Sequence, residues 1–143
     1  MKKRVMINCF LGCFAFTIVF ISCKKGNNQA NCKQDVLISK TEYESAPADK
    51  FSIISLKISV DCLTIKFSAS GCNGNSWTTK LIDWGGVAQS NPPQRTLRLS
   101  LDNKELGESV VVKEISLNIK DLQVEGADKV WLNISGKSIL YEY

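Results

Sequence analysis

Residues 61–72 read DCLTIKFSASGC, and the alternation inside them decides the fold. Leu63, Ile65, Phe67 and Ala69 alternate with Thr64, Lys66 and Ser68. A period of two puts one set of side chains on each face of an extended chain, so this is a strand with one face in a core and one in water. The same period recurs outward from it. It appears at Leu97, Leu99 and Leu101, at Ile115, Leu117 and Ile119, and at Val130, Leu132 and Ile134. Further strands are expected over residues 36–43, 77–83 and 138–143. Residues 51–60 change phase between Ile53 and Ile54, which predicts a bulge that restores one inward face.

Turn-forming residues separate these runs: Val60-Asp61, Gly71 to Asn75, Gly85-Gly86, Asn91-Pro92-Pro93, Asn103-Lys104, Gly126 to Asp128, and Gly136. No segment has the spacing of an amphipathic helix. Some seven or eight short strands with frequent turns predict an all-β protein, an immunoglobulin-like antiparallel β-sandwich. Residues 121–136, DLQVEGADKVWLNISG, look like the crossing from one sheet to the other. The tyrosine corner of true immunoglobulin domains is absent, so that likeness is architectural.

The N-terminus carries a different kind of information. Lys2, Lys3 and Arg4 precede an apolar run from Val5 to Ile21, the layout of an export signal. The run is ~17 residues, at the lower limit for a spanning helix. An uncleaved membrane helix is therefore the competing reading. Phe20-Ile21-Ser22-Cys23 resembles the lipobox of bacterial lipoproteins, although phenylalanine stands where leucine is usual. The resemblance implies cleavage between Ser22 and Cys23, diacylglycerol on the Cys23 thiol, and acylation, for example with palmitate, of the new N-terminus. Stable anchoring needs more than one acyl chain, which such processing provides. Lys24 in place of aspartate implies sorting to an outer membrane, and the lack of an acidic cluster after it implies a periplasm-facing domain.

The chain then divides into a signal peptide (1–22), a lipidated cysteine with a polar tether (23–34) and a β-sandwich domain (35–143). The 143 residues carry 18 Lys+Arg against 14 Asp+Glu. Without the three basic residues of the leader the balance is 15 to 14, and no basic stripe remains for nucleic acid. There is no histidine, which excludes the Ser-His-Asp triad, the Cys-His pair and every histidine-containing zinc site.

Three cysteines remain for an oxidising compartment: Cys32, Cys62 and Cys72. A strand over residues 62–69 separates its ends by ~25 Å, and a disulfide needs Cα atoms within ~7 Å. Cys62–Cys72 is therefore disfavoured. If the strand beginning at Val36 runs antiparallel to that over residues 51–60, Cys32 starts beside Cys62. Cys32–Cys62 is the expected bridge and Cys72 the unpaired thiol; three reduced cysteines are the alternative.

Trp131 falls on the polar side of its strand, and Trp84 beside Gly85-Gly86 at the expected end of another. Exposed indoles suit sugar rings; the other reading is that a loop covers each. Trp77 shares the parity of Leu81 and belongs to the core. Asp83, Asp102 and Asp121 lie near strand ends, but no spacing selects a catalytic pair, and no cofactor or metal site is expected. SGCNGNS, residues 70–76, follows no phosphate-loop pattern and reads as a turn.

The stretches DCLTIKFSASGC, SNPPQRTLRLSL and LQVEGADKVWLNISG resemble small outer-membrane lipoproteins of Bacteroidetes-type bacteria, a group without an assigned function. The resemblance implies a lipid anchor and a β-rich domain and brings no catalytic residues. Together these readings predict a non-catalytic envelope module that binds a protein, with glycan binding through Trp84 or Trp131 as the alternative.

Overall fold

A computed structural model describes residues 32–143. The signal segment, Ser22, Cys23 and most of the tether lie outside the described residues. The rest is a sandwich of two sheets. The first holds β1 (Gln34–Asp35), β3 (Ser52–Ser59), β4 (Cys62–Gly71) and β7 (Ser109–Asn118), in the order β1-β7-β4-β3. The second holds β2 (Leu37–Ile38), β5 (Thr78–Ala88), β6 (Gln94–Asp102), β8 (Lys129–Ile134) and β9 (Lys137–Glu142), in the order β2-β5-β6-β8-β9.

The alternation of β4 becomes the core. Leu63, Ile65 and Phe67 are fully buried, and they meet Leu97, Leu99, Leu101, Val130, Leu132 and Ile134 from the facing sheet. Each such side chain contributes about 1.5–3 kcal/mol by leaving water. The phase change in β3 is a register shift between Ile53 and Ser55. The crossing after β7 is made by a 3₁₀ turn, Lys120–Leu122, whose Leu122 is buried before the chain enters β8 in the other sheet. Trp77 packs against the core, its ring 6.1 Å from that of Phe67.

The structure corrects four expectations. Nine strands lie among the described residues, and three of their pairings are parallel: β1 with β7, β2 with β5, and β6 with β8. Residues 36–43 are not one strand. The chain switches sheets at buried Val36, and the helix α1 (Lys40–Ser45) follows β2. Ser39-Lys40-Thr41-Glu42 explains the helix, because the Ser39 hydroxyl accepts from the Glu42 N–H as an N-cap. Third, β5 runs through Gly85-Gly86 instead of turning there. An irregularity between Asp83 and Val87, with Gly85 at φ 90°, absorbs the glycines within the strand. Trp84 therefore sits inside β5 and not at its end.

The fourth correction concerns the disulfide. Cys32 and Cys62 are joined, with Cα atoms 5.7 Å apart. The expected route to that pairing, an antiparallel match of residues 36–43 with β3, is wrong. Gln34 lies beside Leu117 in parallel, and Leu117 and Asn118 lie beside Leu63 and Cys62. Cys32 lies two residues before β1 and Cys62 opens β4, so β7, which stands between those two strands, sets the cysteines near each other.

Candidate interaction surface

The outward face of the second sheet carries both indoles. On β8, Val130, Leu132 and Ile134 point into the core, so Trp131 and Asn133 point out. Trp131 pairs across β6 with Gln94, and Gln94 with Ala88 of β5. Gln94 accepts from the Asn133 amide at 3.1 Å, and the Ser138 hydroxyl donates to Asn133 at 2.7 Å. Trp131 is half-buried in this row. Trp84 lies two strands away, beyond β6, and is 43% exposed.

Trp84 is exposed yet held. A Cβ on Gly86 would fall 2.2 Å from its ring, so the indole packs closely against the Gly86 backbone, and a larger residue there would push the ring aside. The Lys40 ammonium stands 5.8 Å from the ring centroid, a cation–π distance. Ile38, 44% exposed, sits beside Gly85. Beneath this patch, the fully buried Asp83 accepts from the Gly85 N–H and pairs with Arg95 at 3.3 Å. Burial pushes the Asp83 carboxyl above the usual range, and the Gly85 N–H and the guanidinium only partly oppose it.

A shallow depression of 440 Å³ lies on the same face, lined by Tyr43, Thr96, Arg98, Asn133, Lys137 and Ser138 among others. Neither indole lines it. Arg98 is committed within the chain: its guanidinium donates to the carbonyls of Tyr43, Ala46 and Pro47 at the end of α1. Ser100 donates to the Pro47 carbonyl at 2.7 Å. α1 is thereby fixed over β5 and β6, and it narrows the face to the strip that holds Trp84, Gln94 and Trp131.

Two further features escaped the sequence reading. The turn at SGCNGNS is an anion cradle already filled. The N–H groups of Cys72, Asn73 and Gly74 all donate to one Glu105 oxygen, at 2.6, 3.1 and 3.0 Å, and Ser76 donates to the other at 3.0 Å. These donors, the Gly74 N–H foremost, bring the Glu105 pKa down to about 2. The glycines and asparagines were the visible signal; the acid lay 31 residues beyond Gly74 and gave none. Cys72 is a free, exposed thiol in this loop, at the opposite end of β4 from Cys62. The second missed feature is the outer edge of β7, where Val110 and Val112 are 75% and 49% exposed. Among the described residues no three acids or cysteines gather to hold a metal ion. Asp83, Asp102 and Asp121 stay apart: Asp83 is spent on Arg95, Asp102 pairs with Lys104, and Asp121 sits in the 3₁₀ turn.

No family model and no curated protein matches the sequence. Two solved structures share its fold. A protein of unknown function of the DUF1344 group from Bacteroides vulgatus superposes with a TM-score of 0.56 at 16% identity, over 77% of this chain and 56% of that one. A NigD-like immunity protein from Bacteroides caccae superposes with a TM-score of 0.53 at 10% identity, over 76% of this chain and 59% of that one. The chain thus spans less than two thirds of the length of either, and at these identities the likeness is one of fold: an all-β sandwich of the kind found in Bacteroides proteins.

Proposed function

We propose that the chain is a non-catalytic recognition module of the bacterial cell envelope, held to the outer membrane by lipid on Cys23 and binding a protein through the patch around Trp84. The observation that carries the binding reading is the exposed indole packed against Gly86, with the Lys40 ammonium and Ile38 beside it. A tryptophan already in contact with its own backbone has less freedom to lose when a partner covers it. The name of one fold neighbour, an immunity protein, is in keeping with a partner-binding role. The lipobox-like Phe20 to Cys23 and the polar residues after it support the anchor. So does the Cys32–Cys62 disulfide, which suits an oxidising compartment and ties the start of the domain to its core.

Two measurements test this. Mass spectrometry of the membrane-extracted chain should find an N-terminus at Cys23 bearing acyl chains; an unmodified Met1 would remove the anchor. A photo-crosslinking residue at Ile38 should trap a discrete protein adduct in cells, lost on Trp84→Ala, whereas the same probe at the exposed Lys57 on β3 of the other sheet should trap none. Equal adducts at both positions would sink the assignment of the surface.

A second reading, glycan binding, draws on the row of Trp131, Gln94, Asn133 and Ser138, where an aromatic face stands beside amides and a hydroxyl. A glycan array with the chain would show a hit abolished by Trp131→Ala. Sugar binding that survives both Trp131→Ala and Trp84→Ala would end this reading.

A further inference from the structure

β7 is an interior strand on one side and an edge on the other. β4 pairs with it along its whole length, from Ser109 to Asn118. On its other side β1 reaches only Leu117 and Asn118, and the Lys33 N–H bonds the Ser116 carbonyl. The Val36 N–H bonds the Asn118 carbonyl. The even-numbered residues of β7 therefore present their backbone groups to the β1 side, because these groups alternate along a strand. It follows that Val110, Val112 and Glu114 turn three N–H and three C=O groups to a side where, among the described residues, no strand pairs them. Their side chains lie on the outer face, beside Ser70, Ser68 and Lys66 of β4. This edge is rich in β-branched residues and is of the kind that templates pairing with another strand.

We propose that this edge is the interface between two copies of the chain, joined by antiparallel β7–β7 pairing about a two-fold axis through Val112. The register follows from the hydrogen-bonding groups. To satisfy all three exposed residues on each copy, Val112 must face Val112 of the other copy and Val110 must face Glu114. Shifting by one step toward the C-terminus sets Lys113 against Lys113 and spends a carbonyl on Ser116 that Lys33 already holds. One step further sets Glu114 against Glu114. A step the other way sends Glu114 past the start of the strand at Ser109. Only the register centred on Val112 pairs every free group and avoids like charges directly opposite, which are destabilising. The β3-β4-β7 layers of the two copies would then join into one sheet six strands across, with each β1 filling the remaining end of the shared edge at Leu117 and Asn118. The surface is distinct from the Trp84 patch on the other sheet, so both can be occupied at once.

The test is a cysteine scan on the full chain in detergent, in a Cys72→Ser parent. Directly opposite residues of a hydrogen-bonded antiparallel pair have Cα atoms about 5.5 Å apart, within reach of a disulfide. Val112→Cys should therefore form a covalent dimer under mild oxidant. Val110→Cys should not, since its copies would be four residues out of step, roughly 13 Å apart; Val110→Cys with Glu114→Cys should restore the crosslink. The Val112 N–H faces the open edge, so Val112→Pro removes no bond to β4 and should halve the mass measured by light scattering while leaving the melting profile of a folded monomer. Val112→Lys is the companion variant should proline disturb the strand. A chain that is monomeric at every concentration overturns the proposal, as does a dimer that survives both Val112 variants or equal crosslinking of Val110→Cys and Val112→Cys.

Discussion

The two ends of the sandwich are tied in different ways. At the end where the domain begins, the β3–β4 turn is bound from several directions. Cys32 is bonded to Cys62, the Ile119 N–H donates to the Asp61 carbonyl, and the buried Tyr141 hydroxyl donates to the Asp61 carboxylate. The Gln123 amide donates to the same Tyr141 oxygen at 2.9 Å. Burial and the bond to Asp61 hold the phenol well above its ordinary pKa, so this tie stays uncharged on the tyrosine side throughout the physiological range. At the far end, one half-buried carboxylate, Glu105, gathers three successive backbone amides. The near end is covalent and buried, while the far end is electrostatic and wet. Different agents should therefore loosen them, and the near end is the one that would face a lipid anchor.

The largest effect should come from the near end. Cys32→Ser with Cys62→Ser opens a loop of separation 30; the entropy of such a loop in the unfolded chain corresponds to about 3.5 kcal/mol. Urea denaturation should show that loss, and hydrogen exchange at the Cys72, Asn73 and Gly74 amides should change only by the global amount. If those amides become selectively exposed, the two ends are not separate. The far end has one stiff point, where Gly107 passes over Gly71. A Cβ on Gly107 would stand 2.5 Å from the carbonyl carbon and oxygen of Gly71, and backbone cannot swing aside. Gly107→Ala should cost about 2 kcal/mol by overpacking, with enhanced exchange confined to residues 71–77 and 103–109. Returning to the near end, Tyr141→Phe keeps the packing and deletes the hydroxyl, so it should cost about 1.5 kcal/mol in the same assay. A neutral result would leave the near end's stability to the disulfide and the Ile119–Asp61 backbone bond.

This contrast between the ends also measures what a sequence reader can see. The core strands were legible because their alternation is local: each residue of β4 announces its own face. The sheet crossing at Leu122 and the bulge in β3 were legible for the same reason. Pairings were less so. The Cys32–Cys62 bridge was anticipated through a wrong neighbour, since nothing local says that β1 runs parallel to β7. Helix α1 was hidden because six residues are too few for a helical period to show, and only Ser39 with Glu42 marked it. Glu105 was invisible as a ligand for the 72–74 amides because its partners are distant in sequence and their signal, glycine and asparagine, is shared with any turn. The run Ser109 to Lys113 carries no alternating strand signal in its sequence. Its three valines do not alternate with polar residues, since its outer face is itself apolar.

The smallest effect is also the one with a signature in pH. Glu105 has its pKa lowered in the folded chain from 4.5 to about 2. A carboxyl whose folded value is depressed contributes its stability in full above the unfolded value and loses it as pH falls through the window between the two. The melting temperature of the unaltered chain should therefore exceed that of Glu105→Gln by a constant amount above about pH 5.5, and the difference should shrink toward zero near pH 2. Asp83 pulls the other way. Its pKa is raised by burial, so its contribution is present at low pH and is lost as pH rises through the folded value. Asp83 is common to both proteins, however, and cancels in the difference, which isolates the far end. Should the difference stay flat down to pH 2, Glu105 would be acting as a spacer that fills the loop and not as the charge that gathers its amides.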